Sequence, residues 1–389
     1  MHVCAISFKP CWRDDRGQWF SSGGFPLQMA AVGSLFDEMT LIITECEPLA
    51  GGMPLPENAR IVPLRNPVGQ DARRKLSVVQ NLPAYLPVLI RHVRQADVVH
   101  VPLPGDIPFL GMLVALVCRK HLVARYGGSW FPTDQTTLMN RVTRAIMRRF
   151  AGGRNVMLAT GEYPEPPAPD MQWVFVSVIS RAELSSVIPN LQRGLSSPPR
   201  LVYVGRLSPE KGVHNLIQAI ADLRRAGVQP MPEVLLIGDG PQRNALERLV
   251  KDLDLTSICT FTGQLERQRL LDQMVQADLC VQPSLTEGFS KAWLEALMCG
   301  LPVLTTDVGS ARSIVGHDGE RGWIVPPGDI SALALMLRDI LTGPIDWPAL
   351  RRRCRDYVEG RTLEDWGDLI GRICAAQWGW RFEHGKLHP

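Results

Sequence analysis

Apolar residues in this chain come in short unbroken runs, with longer amphipathic stretches between them. "HVCAISF", "MTLIITE", "ADVVHVP", "HLVARYG", "NVMLAT" and "WVFVSVI" punctuate the first half. "RLVYVGRL", "EVLLIGDG", "ICTFTGQL", "ADLCVQPS", "LPVLTTDVG" and "GWIVPPGD" do the same in the second. Runs of this length without polar alternation predict parallel strands covered on both faces. Helical patterns lie between most of them, so the expectation is α/β, as two doubly wound, Rossmann-like domains. "VIPNLQRGLSSPPR" collects Gly, Ser and Pro without periodicity and marks the join. The expected limits are 1–186 for the first domain, 187–200 for a linker or hinge, and 201–361 for the second. The last segment, 362–389, contains "TLEDWGDLIGRICAAQWGWRF", which is helical and exposes too much apolar surface for a free tail. It is expected to pack back on the first domain.

With 389 residues, 45% of them hydrophobic, the chain suits two ordinary domains. The apolar run at 107–118 is too short to span a bilayer. "MHVCAISFKP" lacks the charged-then-apolar order of a secretion signal, so a soluble cytoplasmic protein is expected. Nine cysteines are scattered without a C-x-x-C pair, and Cys4, Cys280 and Cys299 lie in apolar runs. They read as reduced core thiols, not zinc ligands or disulfides.

Charge is unevenly spread. Residues 60–154 carry 15 Lys/Arg against 4 Asp/Glu, an excess of +11, whereas 181–389 carry 24 against 25, or −1. Within the basic region "NRVTRAIMRRF" sets Arg141, Arg144 and Arg148 on one helical face, with Val142, Ile146 and Phe150 available for another. That pattern predicts docking of the first domain on an anionic membrane face, with an ordinary solvated helix as the alternative. Aromatic residues are too sparse there for nucleic acid.

Chemistry is expected at strand ends. "EGFSKAWLEA", 287–296, holds two glutamates eight positions apart. On one unbroken helix the second would be turned about 80° away from the first. Gly288 breaks the run, Ser290 is placed to cap, and 291–299 then reads as a buried helix closed by Gly300 and Pro302. Glu287 sits in the loop above the helix mouth, and Glu295 lies roughly 6–8 Å below it. The free N–H groups between them suit a phosphate or diphosphate, and a nucleotide-sugar has the matching shape. A loop charge and a solvated helix carboxylate are the competing interpretation. "SSGGF" brings Gly23 and Gly24 to the start of a helical stretch, where backbone N–H groups can approach a phosphate. "GRLSPEKG" follows the strand "LVYV" and offers Arg206 and Lys211 to an anion, unless they form a surface salt bridge with Glu210. "GDGP" invites a dinucleotide fingerprint, but Arg243 stands where its third glycine belongs. No Ser/His/Asp order, HExxH or P-loop is present, and the eight histidines do not cluster.

Taken in order, "GRLSPEKG", "LLIGDGP", "FTGQL", "ADLCVQPSLTEGFSKAWLEALMCGLPVLTTDVGS" and "GERGWIVPPGD" resemble the retaining GT-B glycosyltransferases of family 4, the glycosyl transferases group 1, over 201–329. The first half is similar only in layout and in the Gly23-Gly24 loop. The resemblance implies two Rossmann-like domains facing a central cleft. A nucleotide-sugar donor, UDP in preference to GDP, would be clamped mainly by the second and an acceptor bound mainly by the first. It implies that Glu287 contacts the donor sugar, Glu295 the ribose, and Arg206 and Lys211 the diphosphate. Backbone at Gly205, Gly288, Phe289 and Ser290 would line the same site, with Gln264 and Leu265 at the base. Many relatives have glycine where Ser290 stands, and a histidine near the reacting sugar where "RYGGSW" offers Arg125 and Tyr126, which become the candidates for a sugar or acceptor contact. The implied reaction is retaining transfer to a hydroxyl of a lipid-linked or glycan intermediate of polysaccharide or glycoconjugate synthesis. No side-chain nucleophile, metal or other cofactor is expected. A same-fold sugar-nucleotide epimerase would need acid and base side chains around the sugar. A non-catalytic sugar-nucleotide-binding subunit would be expected to lose Arg206, Lys211, Glu287 or Glu295, and all four are present.

Overall fold

The computed structural model describes residues 1–389 except 50, 51, 70, 129 and 132–135, and only the backbone of 71 and 72. In the first half the apolar runs become β1 (His2–Arg13), β2 (Trp19–Ser21), β3 (Glu38–Glu45), β4 (Met53–Pro54), β5 (Ala59–Arg65), β6 (Val98–Leu103), β7 (His121–Tyr126), β8 (Asn155–Thr160) and β9 (Met171–Val174). Seven of these pair in parallel in the order β5-β3-β1-β6-β7-β8-β9, while β2 and β4 extend the sheet antiparallel beside β1. The pleat sends Val98, Val123, Val156 and Leu158 to one face, under α1 (Phe25–Gly33) and the last helix, α13 (Leu363–Trp378). Val99, Leu122, Ala124 and Met157 point the other way, under α2 (Asp71–Gln95), α3 (Asp106–Val117) and α4 (Leu138–Phe150). Burial on both faces is why these strands carry no polar alternation.

The second half gives β10 (Arg200–Val204), β11 (Glu233–Ile237), β12 (Cys259–Gly263), β13 (Leu279–Gln282), β14 (Val303–Thr306) and β15 (Gly322–Val325), all parallel, in the order β12-β11-β10-β13-β14-β15. Around them lie α5 (Arg181–Ser186), α6 (Val213–Arg225), α7 (Arg243–Asp252), α8 (Arg267–Gln276), α9 (Lys291–Met298), α10 (Ala311–Val315), α11 (Ile330–Thr342) and α12 (Trp347–Val358). Strand order reverses between β10 and β13. In an open α/β sheet, ligands bind beyond the carboxyl ends of the strands at such a reversal.

The chain forms two units, Met1–Val178 with Leu363–Pro389, and Ile179–Thr362. It enters unit 2 ahead of the expected 187–200 linker, which belongs to that unit. The reason is local: Arg267 grips Glu183 of α5, and Arg351 donates to the Arg193 carbonyl at 3.0 Å. All nine cysteines are free, and burial raises the Cys280 thiol to about 12. Among the described residues no helix is long and apolar enough to cross a membrane.

Candidate functional site

Two loops of unit 2 leave the sheet at the reversal, 205–212 after β10 and 283–290 after β13. They are fastened to one another. The Leu285 amide donates to the Glu210 carbonyl at 2.8 Å. Gly212, at φ +63, lies so close that a Cβ there would stand 2.1 Å from the Pro283 carbonyl oxygen. Lys211 Nζ closes the join by pairing with Glu287 Oε2. Lys211 is therefore not taken up by Glu210, whose carboxylate instead accepts from Ser208 Oγ at 2.5 Å, a bond that lowers its pKa. Arg206 is exposed and makes no ion pair among the described residues, while its carbonyl accepts from the buried Tyr203 hydroxyl at 2.9 Å. Gly205 belongs here because a Cβ would meet that hydroxyl oxygen at 2.8 Å.

Helix α9 begins at Lys291, and Ser290 occupies its N-cap with extended backbone, φ −91° and ψ 121°, but makes no side-chain capping bond. Gly288 and Phe289 form the turn before it. Behind that turn stands a residue pair absent from the sequence expectation. Ser310 N donates to the Gly288 carbonyl at 3.0 Å, and Gly309, at φ +52, packs so tightly that a Cβ would lie 2.2 Å from the Gly288 oxygen and 2.3 Å from that of Glu287. The glycine after β14 was the only signal for it.

Glu295 is not a solvated helix residue. It is 8% exposed, and its Oε1 pairs with Nη1 of Arg267, the first residue of α8. Arg267 follows closely on Gln264 and Leu265, the former exposed and the latter packed on the unit's core. Arg206 and Lys211 after β10, Arg267 at the start of α8, Glu287 after β13 and Glu295 within α9 thus supply three cations and two carboxylates, paired as Lys211–Glu287 and Arg267–Glu295. Such a set can hold an anion with hydroxyl-bearing groups to either side.

The glycines of "GDGP" have another task. A Cβ at Gly238 would stand 1.8 Å from the Gly205 oxygen, and one at Gly240 2.4 Å from that of Leu207, so both permit close packing against the 205–212 loop. The chain also holds one Asp-x-Asp sequence, Asp252-Leu253-Asp254. It closes α7, where Asp254 pairs with Arg224 at 2.6 Å.

In unit 1, Gly23 (φ +66) leads into Gly24, the N-cap of α1. Arg125 and Tyr126 point to opposite faces of β7, and neither side chain is open for a sugar contact. Arg125 is 6% exposed, bonds Gln28 Oε1 at 3.3 Å and lies over the Trp366 ring at 5.4 Å, with burial lowering its pKa to about 10. Tyr126 is 1% exposed and meets Trp130 edge-on at 5.6 Å. The expected Arg141/Arg144/Arg148 face also needs correction. Arg144 is 3% exposed, because its guanidinium bonds the Trp130 carbonyl at 2.6 Å. The outward face of α4 instead carries Arg141, Val142, Arg148, Arg149 and Phe150.

Residues 192–361 match the family Glycosyl transferases group 1. A glycogen synthase of Mycobacterium tuberculosis is 34% identical over 45% of this chain and 41% of its own length. A GDP-mannose-dependent alpha-(1-6)-phosphatidylinositol monomannoside mannosyltransferase of Mycolicibacterium smegmatis is 30% identical over 60% and 58%. The sulfoquinovosyl transferase SQD2 of Arabidopsis thaliana is 30% identical over 75% and 59%. The chain thus spans roughly two-fifths to three-fifths of the length of these relatives. Among solved structures, Anabaena HepE in complex with UDP superposes with a TM-score of 0.67 at 17% identity, covering 97% of this chain and 100% of that one. Sucrose-phosphate synthase from Thermosynechococcus elongatus gives 0.69 at 20% identity, over 96% and 98%. At such identities the likeness establishes the fold, which is GT-B.

Proposed function

Since unit 2 carries a glycosyl transferases group 1 domain on a GT-B fold, we propose that the protein transfers a sugar from a nucleotide diphosphate to a hydroxyl, with retention at the anomeric carbon. One observation carries this reading: Lys211–Glu287 and Arg267–Glu295 flank the start of α9 at the strand-order reversal. The donor diphosphate takes Lys211 from Glu287 and recruits Arg206, and the N–H groups at the head of α9 add to the cradle. Glu287 then accepts hydroxyls of the sugar and Glu295 those of the ribose. As the bond from C1 to the phosphate oxygen breaks, charge grows on that oxygen. Preorganised donors aimed at such charge are individually worth roughly 2.7–4 kcal/mol. The acceptor oxygen attacks C1 from the same face and its proton passes to the departing phosphate, so no side-chain nucleophile is used. Two cations and a helix terminus supply the charge neutralisation, and transfer is expected to persist in EDTA. Loss of activity restored by manganese or magnesium would overturn that point.

The acceptor in this reading is lipid-linked. Unit 1 presents Arg141, Arg148 and Arg149 beside Val142 (40% exposed) and Phe150 on α4, a surface suited to an anionic leaflet at the inner face of the membrane. UDP is the base put forward. A thermal-shift screen of UDP- and GDP-sugars tests the whole: the correct donor at about 100 times Kd stabilises by roughly 2.7 kcal/mol and its wrong-base analogue does not. No shift with any nucleotide-sugar would refute the donor.

A further inference from the structure

Arg267 has no place in the expectations drawn from the sequence, yet its guanidinium is the most heavily engaged near the nucleotide site. Nε and Nη2 grip both oxygens of Glu183 at 2.7 and 3.0 Å, and Nη1 reaches Glu295 Oε1. Glu183 is itself fixed. It lies in the first turn of α5, where Ser180 Oγ accepts from its amide at 3.0 Å. Arg355 anchors that helix from the other side, donating through Nη2 to the Leu184 carbonyl and through Nη1 to the Met298 carbonyl of α9 at 2.5 Å. Two arginines therefore strap α5 to α9, and one of them ends on the carboxylate assigned to the ribose.

The geometry is selective. A fork held by both oxygens of one carboxylate has little freedom left, so its third N–H fixes where the second carboxylate sits. Glu295 is buried and receives this one hydrogen bond at Oε1, while Oε2 makes none among the described residues. Oε2 is not among the buried unpartnered polar atoms, so it stays accessible to a donor from outside the helix. Arg267 is already committed to two carboxylates, and the remaining oxygen of Glu295 can only accept, so it favours O–H donors.

We propose that Arg267 is a positioning residue for ribose recognition: held by Glu183, it fixes the orientation of Glu295 so that Oε2 accepts from the vicinal hydroxyls of the nucleotide. The inference rests on reading unit 2 as a nucleotide-sugar site, and its test separates the two. UDP and GDP are titrated calorimetrically alongside their 2′,3′-dideoxy analogues, against wild type, Arg267→Met, Arg267→Lys, Glu183→Gln and Glu295→Gln. Wild type should favour the natural nucleotide over its dideoxy analogue by on the order of 10- to 100-fold. Arg267→Met and Glu295→Gln should each compress that ratio to about threefold or less, and combining them should compress it no further. Lysine, a point charge without the fork, should restore little of it. Glu183→Gln should fall between, although Glu183 is no ligand of the nucleotide, and it carries the test if Arg267→Met does not fold.

Should Arg267→Met weaken both nucleotides equally and leave the ratio intact, Arg267 contacts the phosphates or base directly and the proposal is wrong. Glu183→Gln with wild-type discrimination would remove the strap from the mechanism. Failure of wild type to bind either nucleotide would take down the donor reading and this inference together, whereas binding without ribose discrimination would overturn the inference alone.

Discussion

Replacing Gly309 by alanine separates two costs that the structure combines at one position. At φ +52 an L-residue costs about 1–2 kcal/mol. The new Cβ would also stand 2.2 Å from the Gly288 oxygen and 2.3 Å from that of Glu287. Ordinary carbon–oxygen contacts lie at about 3.3–3.6 Å, so the loop ahead of α9 must retreat by about 1 Å. Overpacking of this kind adds roughly 1–3 kcal/mol. The total, about 2–5 kcal/mol, corresponds in a domain the size of unit 2 to a fall of about 4–20 °C in Tm. A 1 Å displacement at a site loop costs on the order of 10²-fold in turnover. Gly319→Ala is the control, because Gly319 has φ +79 with nothing within 4 Å of a built Cβ. It should lose only the conformational share, about 2–8 °C, and keep full activity. Melting curves of the two variants need no ligand, and transfer kinetics use the donor found in the nucleotide screen. A Gly309→Ala protein that melts with Gly319→Ala, or that keeps wild-type kcat/KM, would refute the argument.

Lys211→Ala should lower kcat on the order of 10²- to 10³-fold without unfolding the protein, and a wild-type rate in single-turnover kinetics would remove Lys211 from the leaving-group site. Arg141→Glu, Arg148→Glu and Arg149→Glu together should abolish salt-sensitive co-sedimentation with anionic liposomes, since each basic residue contributes roughly 1 kcal/mol near such a surface. Equal recovery of variant and wild type at low salt would mean a water-soluble acceptor. His100 is buried, which with the nearby Arg125 charge lowers its pKa to about 3 from 6.5, so its contribution is present above pH 6.5 and is lost as pH falls towards 3. Unfolding free energies from urea titrations between pH 7 and 5 should fall by up to about 1.4 kcal/mol per pH unit on this account, and His100→Leu should flatten that slope; an unchanged slope would exclude His100 as its source.

The strands β10 to β15 were legible because burial on both faces leaves an unbroken apolar run, and the helix after Ser290 was legible from its break and its closing glycine. β5 was not, since most of its residues are only partly buried and its sequence, "ARIVPLR", alternates too weakly. Helical periodicity put Arg144 with Arg141 and Arg148 by treating arginine as a solvated residue. A carbonyl of Trp130 and the Tyr126 ring, centred 6.0 Å from the guanidinium, override that assumption. Arg267 was invisible for a different reason: its partners stand 84 positions before it and 28 after it, and no local pattern records either. Gly309 fails similarly: its turn and φ +52 are local, but the close approach of the 287–288 backbone, which also demands glycine there, is recorded by no local pattern.

The return of the chain to unit 1 matters before the protein is finished. Residues up to Val178 leave the ribosome with one face of their sheet covered by α1 alone, because Trp366, Ile370, Ile373 and Cys374, which cover the rest, are encoded after all of 179–362. At about 5–20 residues per second the wait is on the order of 10–40 s. Unit 2, contiguous in sequence, needs no such delay and is positioned to fold first. A premature stop before α13 therefore does more than shorten the protein: it leaves the nascent first sheet permanently adhesive, a substrate for chaperones and proteases.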